Sequence, residues 1–176
     1  TLGMDKKINN QSVHGYTITY IQEDAKIGDE GTSSDIDSYS FSLYRAFSKD
    51  SNNYFEGVLG LSKLDIKNTR KSGSNTLKGS RNGKQIFGSL QAINTFKNKQ
   101  TEVSPNVRLD LGYTILDEYR EIGTNPLKYD EQTVETVGIY GGFNLSNEIF
   151  KEDHTLRPSF ALELGYDLSP NSDVSL

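Results

Sequence analysis

The sequence predicts an all-β fold, an antiparallel up-and-down transmembrane β-barrel of which about eight strands are visible. Three observations predict it. Apolar and polar residues alternate along most of the chain, turn-forming residues separate the alternating segments, and short connectors alternate with long ones. A strand points successive side chains to opposite faces, so this alternation gives each strand an apolar side and a polar side.

Eight segments carry the alternation, and no segment has a convincing helical period. In the sixth of them, Val107 and Leu109 alternate with Arg108 and Asp110. Clusters of Gly, Asn, Asp, Ser or Lys bound each segment. In chain order the predicted strands are a stub at 1–5 and segments 14–23, 38–47, 54–66, 84–96, 102–115, 133–145 and 155–168.

The connectors predict the connectivity of these strands. Alternate connectors of an up-and-down meander emerge at the same end of the sheet. One end would therefore carry tight turns and the other long polar loops, an asymmetry that outer-membrane barrels share. The short connectors are 6–13, 48–53, 97–101 and 146–154, and the long ones are 24–37, 67–83 and 116–132.

Bulk composition excludes several classes of protein. Hydrophobic residues make up 34% of the 176 residues, and no run approaches the roughly 18 apolar residues of a membrane helix. The absence of cysteine excludes disulfides and thiolate metal sites. A scattered net charge of −5 gives no basic face for nucleic acid.

The composition of the two sides indicates which one faces water. The polar side is rich in Ser and Gly, with Gly60, Gly138 and Gly142 among its residues, whereas a solvent-facing strand would favour Lys, Glu and Thr. The apolar side has aliphatic residues between two aromatic bands, as the two bilayer interfaces select. These bands are Phe47, Phe55, Phe96 and Phe143 at the short-turn end and Tyr20, Tyr39, Tyr113 and Tyr166 at the other.

Three polar residues, Arg45, Lys63 and Asn94, lie on the apolar side. Each is near a strand end, where an outward charge costs about 0–1 kcal/mol instead of the roughly 2–4 kcal/mol at mid-bilayer. The sequence therefore predicts an apolar side that faces lipid and a polar side that lines a wet interior.

Several stretches resemble the β-barrel (translocator) domain of bacterial autotransporters, the type V secretion family. Segment 38–44, a short turn and segment 53–63 with Arg70 beyond it are similar to a pair of strands in that family. The order of the later elements is also similar. They are Phe87-Gly-Ser-Leu-Gln-Ala92, Val103-Ser-Pro105, Tyr119-Arg-Glu121-Ile-Gly123 and Leu156-Arg-Pro158.

The resemblance implies an outer-membrane barrel that assists export of its own N-terminal passenger to the cell surface. It implies outer-membrane lipid, the passenger and the barrel-assembly machinery as partners, with no nucleic acid, cofactor or catalytic role. Residues 1–176 would form a single domain that lacks the family's first and last strands and its plug helix. The residues expected to line the pore are Tyr44, Glu56, Gln91, Arg108, Asp110, Tyr140, Arg157, Glu163 and Asp167.

Two other functions fit the pattern: a soluble lipocalin-like barrel that binds a small apolar molecule, and a self-standing eight-stranded outer-membrane adhesin. Other polar groups are interpreted as solvated. His14 and His154 fall at turn boundaries, and Glu118 and Glu121, beside Arg120, are expected to be surface charges. The acidic group Asp29, Glu30, Asp35 and Asp37 lacks EF-hand spacing and is expected to be a solvated loop.

Overall fold

A computed structural model describes residues 1–27 and 31–169, and within them the fold is entirely β. The strands are β1 Leu2–Asn9, β2 Ser12–Ile27, β3 Thr32–Ser48, β4 Asn53–Ser72, β5 Asn75–Asn94, β6 Phe96–Asn98, β7 Thr101–Leu116, β8 Tyr119–Arg120, β9 Lys128–Tyr129, β10 Gln132–Asn147, β11 Ile149–Phe150, β12 Thr155–Leu156 and β13 Ser159–Asp167. No helix long and apolar enough to cross a membrane occurs among these residues.

The long strands form one antiparallel sheet in the order β1-β2-β3-β4-β5-β7-β10-β13, with β6 beside β7. Each long strand pairs with the next one along the chain, which is the predicted up-and-down meander. Two short hairpins, β8–β9 and β11–β12, lie off the main path. Within the described part of the chain, β1 and β13 are the two edges and the sheet does not close on itself.

Two of the predicted long loops are mostly strand. The predicted loop 67–83 is instead the end of β4 and the start of β5, which stay paired up to Ser72 and Asn75 around a turn at Gly73. Backbone hydrogen bonds continue across this hairpin although the side chains no longer alternate in polarity, so periodicity alone missed it. Similarly, Asp35 and Asp37 belong to β3, while Asp29 and Glu30 lie outside the described residues.

The tight turns at the opposite end agree with the prediction. In the turn between β3 and β4, the Asp50 carboxylate accepts hydrogen bonds from the side-chain amide of Asn53 and from the backbone N–H groups of Asn52 and Asn53, all at 2.8–2.9 Å. The same hydrogen bonds lower the pKa of Asp50, and the one from the Asn53 side chain has the largest effect. This Asx-type arrangement fixes the hairpin register locally.

Residues 1–27 and 31–169 form no sealed apolar core. Only Ile66, Leu77 and Leu116 are buried apolar residues in the part of the chain that the structure describes. The aliphatic residues of the strands are exposed instead, with Leu90 at 62% and Leu162 at 44% of their accessible surface. A continuous exposed apolar surface of this kind marks contact with lipid or protein.

Candidate functional site on the polar face

Cross-strand register defines two faces of the sheet, because residues directly opposite in an antiparallel pair point the same way. The apolar face carries Leu43, Leu59, Leu90, Leu109, Ile139 and Leu162. The polar face carries the unbroken row Tyr44, Val58, Ser89, Asp110, Gly138 and Asp167.

Aromatic rings on the apolar face pack against each other across neighbouring strands. Phe47 stacks on Phe55 with ring centroids 5.1 Å apart, and Tyr20 lies 5.0 Å from Tyr39. The Phe pair lies near the short-turn end, as predicted, whereas Tyr20 and Tyr39 lie in the middle of β2 and β3 because both strands extend beyond their predicted ends. Aromatic cross-strand pairs of this type stabilise a sheet by up to about 1 kcal/mol each.

The three polar residues expected on the apolar side lie on the apolar face and have local partners. The Lys63 Nζ lies 2.9 Å from an Asp65 carboxylate oxygen, and the Asn94 amide donates to Asn53 Oδ1 at 2.6 Å. The guanidinium of Arg45 lies 5.7 Å from the Phe47 ring centroid. None of the three requires a partner from a sealed core.

Eight of the nine residues expected to line a pore lie on the polar face. Glu56, Gln91, Arg108 and Tyr140 are successive cross-strand neighbours in one row. Tyr44, Asp110, Glu163 and Asp167 occupy neighbouring rows on the same face. The ninth, Arg157, follows β12 at the short-turn end, where its Nη2 lies 3.7 Å from Glu102 and 3.8 Å from Glu148.

Arg108 is the centre of a charged cluster in the middle of this face. Its guanidinium makes two hydrogen bonds to Glu163, at 3.0 and 3.2 Å, and a third to Asp110 at 3.1 Å. It also lies over the Tyr140 ring, 4.4 Å from the centroid, while Ser89 donates to Asp110 at 2.6 Å. The Arg108 side chain remains 28% exposed, so the cluster is fixed in geometry and still accessible to water.

Hydroxyl groups pair across strands on the rest of the face. Thr17 bonds to Ser42 at 2.7 Å, and Ser40 bonds to Ser62 at 2.6 Å. These short side chains satisfy each other's hydrogen-bonding groups, so this part of the polar face is hydrophilic and projects little from the sheet.

Glycines on the polar face give room to aromatic rings. The Tyr44 ring covers Gly15, and a Cβ on Gly15 would lie 2.5 Å from its Cζ. Tyr140 covers Gly165 in the same way, with its Cδ1 2.6 Å from the position of a Cβ. These two glycines therefore leave space for aromatic rings that lie against the sheet.

A second charged cluster lies at the long-loop end and was not predicted. Glu121 accepts two hydrogen bonds from Arg70, at 2.8 and 2.7 Å, and is only 5% exposed. The prediction of Glu121 as a surface charge is therefore wrong. The chain after β7 continues beside β5, with Ile122 bridged to Lys78, and this places Glu121 next to Arg70. Glu118 is 65% exposed, as expected of a surface charge.

Aromatic stacking completes this second group, which we call the rim cluster: Arg70, Gly79, Arg81, Tyr119, Glu121 and Tyr129. The Tyr119 ring stacks on Tyr129 at 4.6 Å and covers Gly79, and the guanidinium of Arg81 lies 5.5 Å from its centroid. Burial raises the pKa of Tyr119, and the hydrogen bonds from Arg70 lower the pKa of Glu121. In the sequence, the one signal for the contact between Arg70 and Glu121 was the family resemblance, which includes Arg70 and the later Glu121-Ile-Gly123.

Comparison with known proteins agrees with this geometry. The chain matches the model of the autotransporter beta-domain family over residues 1–176, and no curated protein matches it. Among solved structures, the translocator domain of the autotransporter NalP from Neisseria meningitidis is similar, with a TM-score of 0.78 and 16% sequence identity. The match covers 97% of this chain and 60% of that one, so the chain spans about three fifths of that domain. The described sheet therefore has the fold of an autotransporter translocator β-barrel, and the chain belongs to the autotransporter beta-domain family.

Proposed function

We propose that this chain sits in the outer membrane as a translocator barrel and assists export of an N-terminal passenger to the cell surface. The observation that carries the proposal is the opposite character of the two faces. The aliphatic face is exposed, as a lipid-facing surface must be, and the polar face holds the charged cluster around Arg108. The exposure of Leu90 and Leu162 argues against a lipocalin-like binder, whose apolar side chains would be sealed inside the barrel.

The polar face would line the conduit and keep a passing polypeptide hydrated. We propose that Tyr44, Glu56, Gln91, Arg108, Asp110, Tyr140, Glu163 and Asp167 line its bore, with Arg157 at the short-turn mouth. Arg108 is paired with Asp110 and Glu163, whereas Glu56 and Asp167 have no ion pair among the described residues, so the bore would offer water and hydrogen bonds and carry an excess of negative charge. The domain would act without chemistry of its own.

Closure of the barrel is part of the proposal. The outer edges of β1 and β13 expose backbone groups that a bilayer would leave without hydrogen bonds. We propose that residues 1–176 are one domain whose edges pair with first and last strands supplied by the same protein. Outer-membrane lipid and the barrel-assembly machinery are the partners that insertion of such a barrel would require.

Surface display tests this function. The full-length protein is expressed in an outer-membrane host with an epitope on the passenger, and protease added to intact cells should remove the epitope. Replacing two residues of the apolar face, Leu90→Asp and Leu111→Asp, should abolish display, because each buries a charge in hydrocarbon. The matched control replaces two polar-face residues on distant strands, Thr19→Asp and Thr136→Asp, and should preserve display because water can solvate both charges. Protein that stays monodisperse in buffer without detergent would contradict the proposal.

A further inference from the structure

A basic groove lies on the outer side of the sheet at the long-loop end. It has a volume of about 430 Å³ and runs along the extensions of β4 and β5 beside the segment that contains β8. Its lining residues include Asp35, Lys67, Thr69, Lys78, Ser80 and Arg120.

Register places the cations of this groove close together. Lys67 is directly opposite Ser80, and Thr69 is directly opposite Lys78, so the two lysines are diagonal neighbours on one face. Diagonal neighbours in an antiparallel pair are about 7–8 Å apart, which their flexible side chains can easily close. Arg120 joins them because Ile122, two residues later, is bridged to Lys78.

These three cations have no ion pair among the described residues. The one carboxylate in the described lining belongs to Asp35, opposite Lys67 in register. By contrast, nearby Lys63 is paired at 2.9 Å with Asp65. Three like charges around one concave surface repel each other, and an anion with several oxygens would remove that repulsion through charge-assisted hydrogen bonds.

The hydroxyl groups of Thr69 and Ser80 lie between the cations and can donate further hydrogen bonds. Two ammonium groups, one guanidinium and two hydroxyls form the donor set that suits a phosphate group. The groove is large enough for one phosphate together with the part of a molecule that carries it.

The groove continues the face that the proposed function places against lipid. On the same face, four residues below Lys67, Lys63 lies beside Tyr39 of the upper aromatic band. Four strand residues at a tilt of about 40° rise roughly 10 Å along the membrane normal. The headgroup layer itself extends about 5–8 Å beyond the hydrocarbon, so a lysine side chain directed back towards the membrane can meet it. Ile122, 80% exposed at the groove, extends the apolar surface into it.

We infer that this groove binds the phosphate of a phosphorylated lipid headgroup in the leaflet next to the long-loop end. The inference rests on the proposed placement of the barrel in the outer membrane. Such a contact would hold the projecting β4–β5 hairpin at a defined height relative to the membrane surface.

Lipid titration tests the inference. The full-length protein, folded in detergent, is titrated with lipid A, with dephosphorylated lipid A of the same acyl chains, and with inorganic phosphate. The protein should bind lipid A with much higher affinity than either dephosphorylated lipid A or inorganic phosphate. The variant Lys67→Gln/Lys78→Gln should weaken lipid A binding about ten- to thirtyfold, the loss expected for two basic residues near an anionic membrane surface.

Lys97→Gln/Lys151→Gln is the matched control, since it removes the same charge at the short-turn end. It should change lipid A binding by less than about twofold. If the double variant folds poorly, Arg120→Gln provides a second test, because Arg120 is exposed. This variant should lower the affinity for lipid A about fivefold.

Equal losses in the groove and control variants would overturn the inference, because net charge alone would then explain binding. Equal binding of the dephosphorylated lipid, or displacement by inorganic phosphate at matching concentration, would also overturn it. Passenger display is measured on the same proteins. Normal display without selective lipid binding refutes the groove alone, whereas a protein that never enters membranes refutes the proposed function.

Discussion

Two bidentate arginine–glutamate pairs occupy different environments in this sheet. Arg108 binds Glu163 through two hydrogen bonds in the middle of the polar face, where both side chains are 28–41% exposed. Arg70 binds Glu121 in the same bidentate way at the rim, where the Glu121 side chain is 4% exposed. Similar ion pairs are thus solvent-accessible in the middle of the polar face and buried at the rim.

The difference lies in what covers each pair. The Glu121 carboxylate accepts a further hydrogen bond from the backbone N–H of Leu127 at 3.1 Å, and the stacked rings of Tyr119 and Tyr129 belong to the same cluster. The Tyr140 ring covers the Arg108 guanidinium, but the side chains of Arg108 and Glu163 stay 28% and 41% exposed. Since screening by water weakens an exposed ion pair, the rim pair should contribute more to stability.

The largest expected effect is the loss of the rim pair. Glu121→Gln should lower the free energy of unfolding by about 2–3 kcal/mol, somewhat less than for a fully buried pair because Arg70 stays 32% exposed. Urea unfolding of the detergent-folded protein, followed on semi-native gels, measures it. Glu118→Gln is the control, since Glu118 is 65% exposed and its change should be close to zero. Equal effects of the two variants would show that the rim pair is not buried.

The next effect tests the aromatic part of the rim cluster. Gly79→Ala would put a Cβ 2.5 Å from Tyr119 Cε2, and displacing a stacked ring should cost about 1–2 kcal/mol. Gly141→Ala is the matched control on the apolar face, because no atom lies within 4 Å of its Cβ. The same unfolding assay compares them. A Gly79 variant as stable as the Gly141 variant would mean that Tyr119 moves aside freely.

The stability contributed by the rim pair should depend on pH. Hydrogen bonds from Arg70 lower the folded-state pKa of Glu121 below its unfolded value near 4.5. The stabilisation is therefore fully present above that value and is lost as pH falls through the folded pKa. Melting temperatures between neutral pH and about pH 3 should fall more steeply for the natural protein than for Glu121→Gln. Parallel curves would show that Glu121 titrates normally.

The sequence predicted the regular part of the molecule well and the rim poorly. Alternation along residues such as Val107, Arg108 and Leu109 separates an apolar face from a polar face, so eight strands and their faces were predictable. The same rule fails towards the long-loop end, where both sides of β4 and β5 are polar and a 20-residue strand resembles a loop. The contact between Glu121 and Arg70 joins residues 51 positions apart through backbone pairing, which local pattern does not reveal.

The smallest expected effect concerns the central pair. Glu163→Gln should lower the free energy of unfolding by only about 0.5–1 kcal/mol, because Glu163 is 41% exposed and Asp110 still neutralises Arg108. Raising the salt concentration should shrink this difference further, since ions screen accessible charges. The effect of Glu121→Gln should persist in the same salt, because water and ions do not reach that carboxylate. Unfolding curves at low and high salt for both variants therefore decide whether burial, rather than pair geometry, distinguishes the two sites.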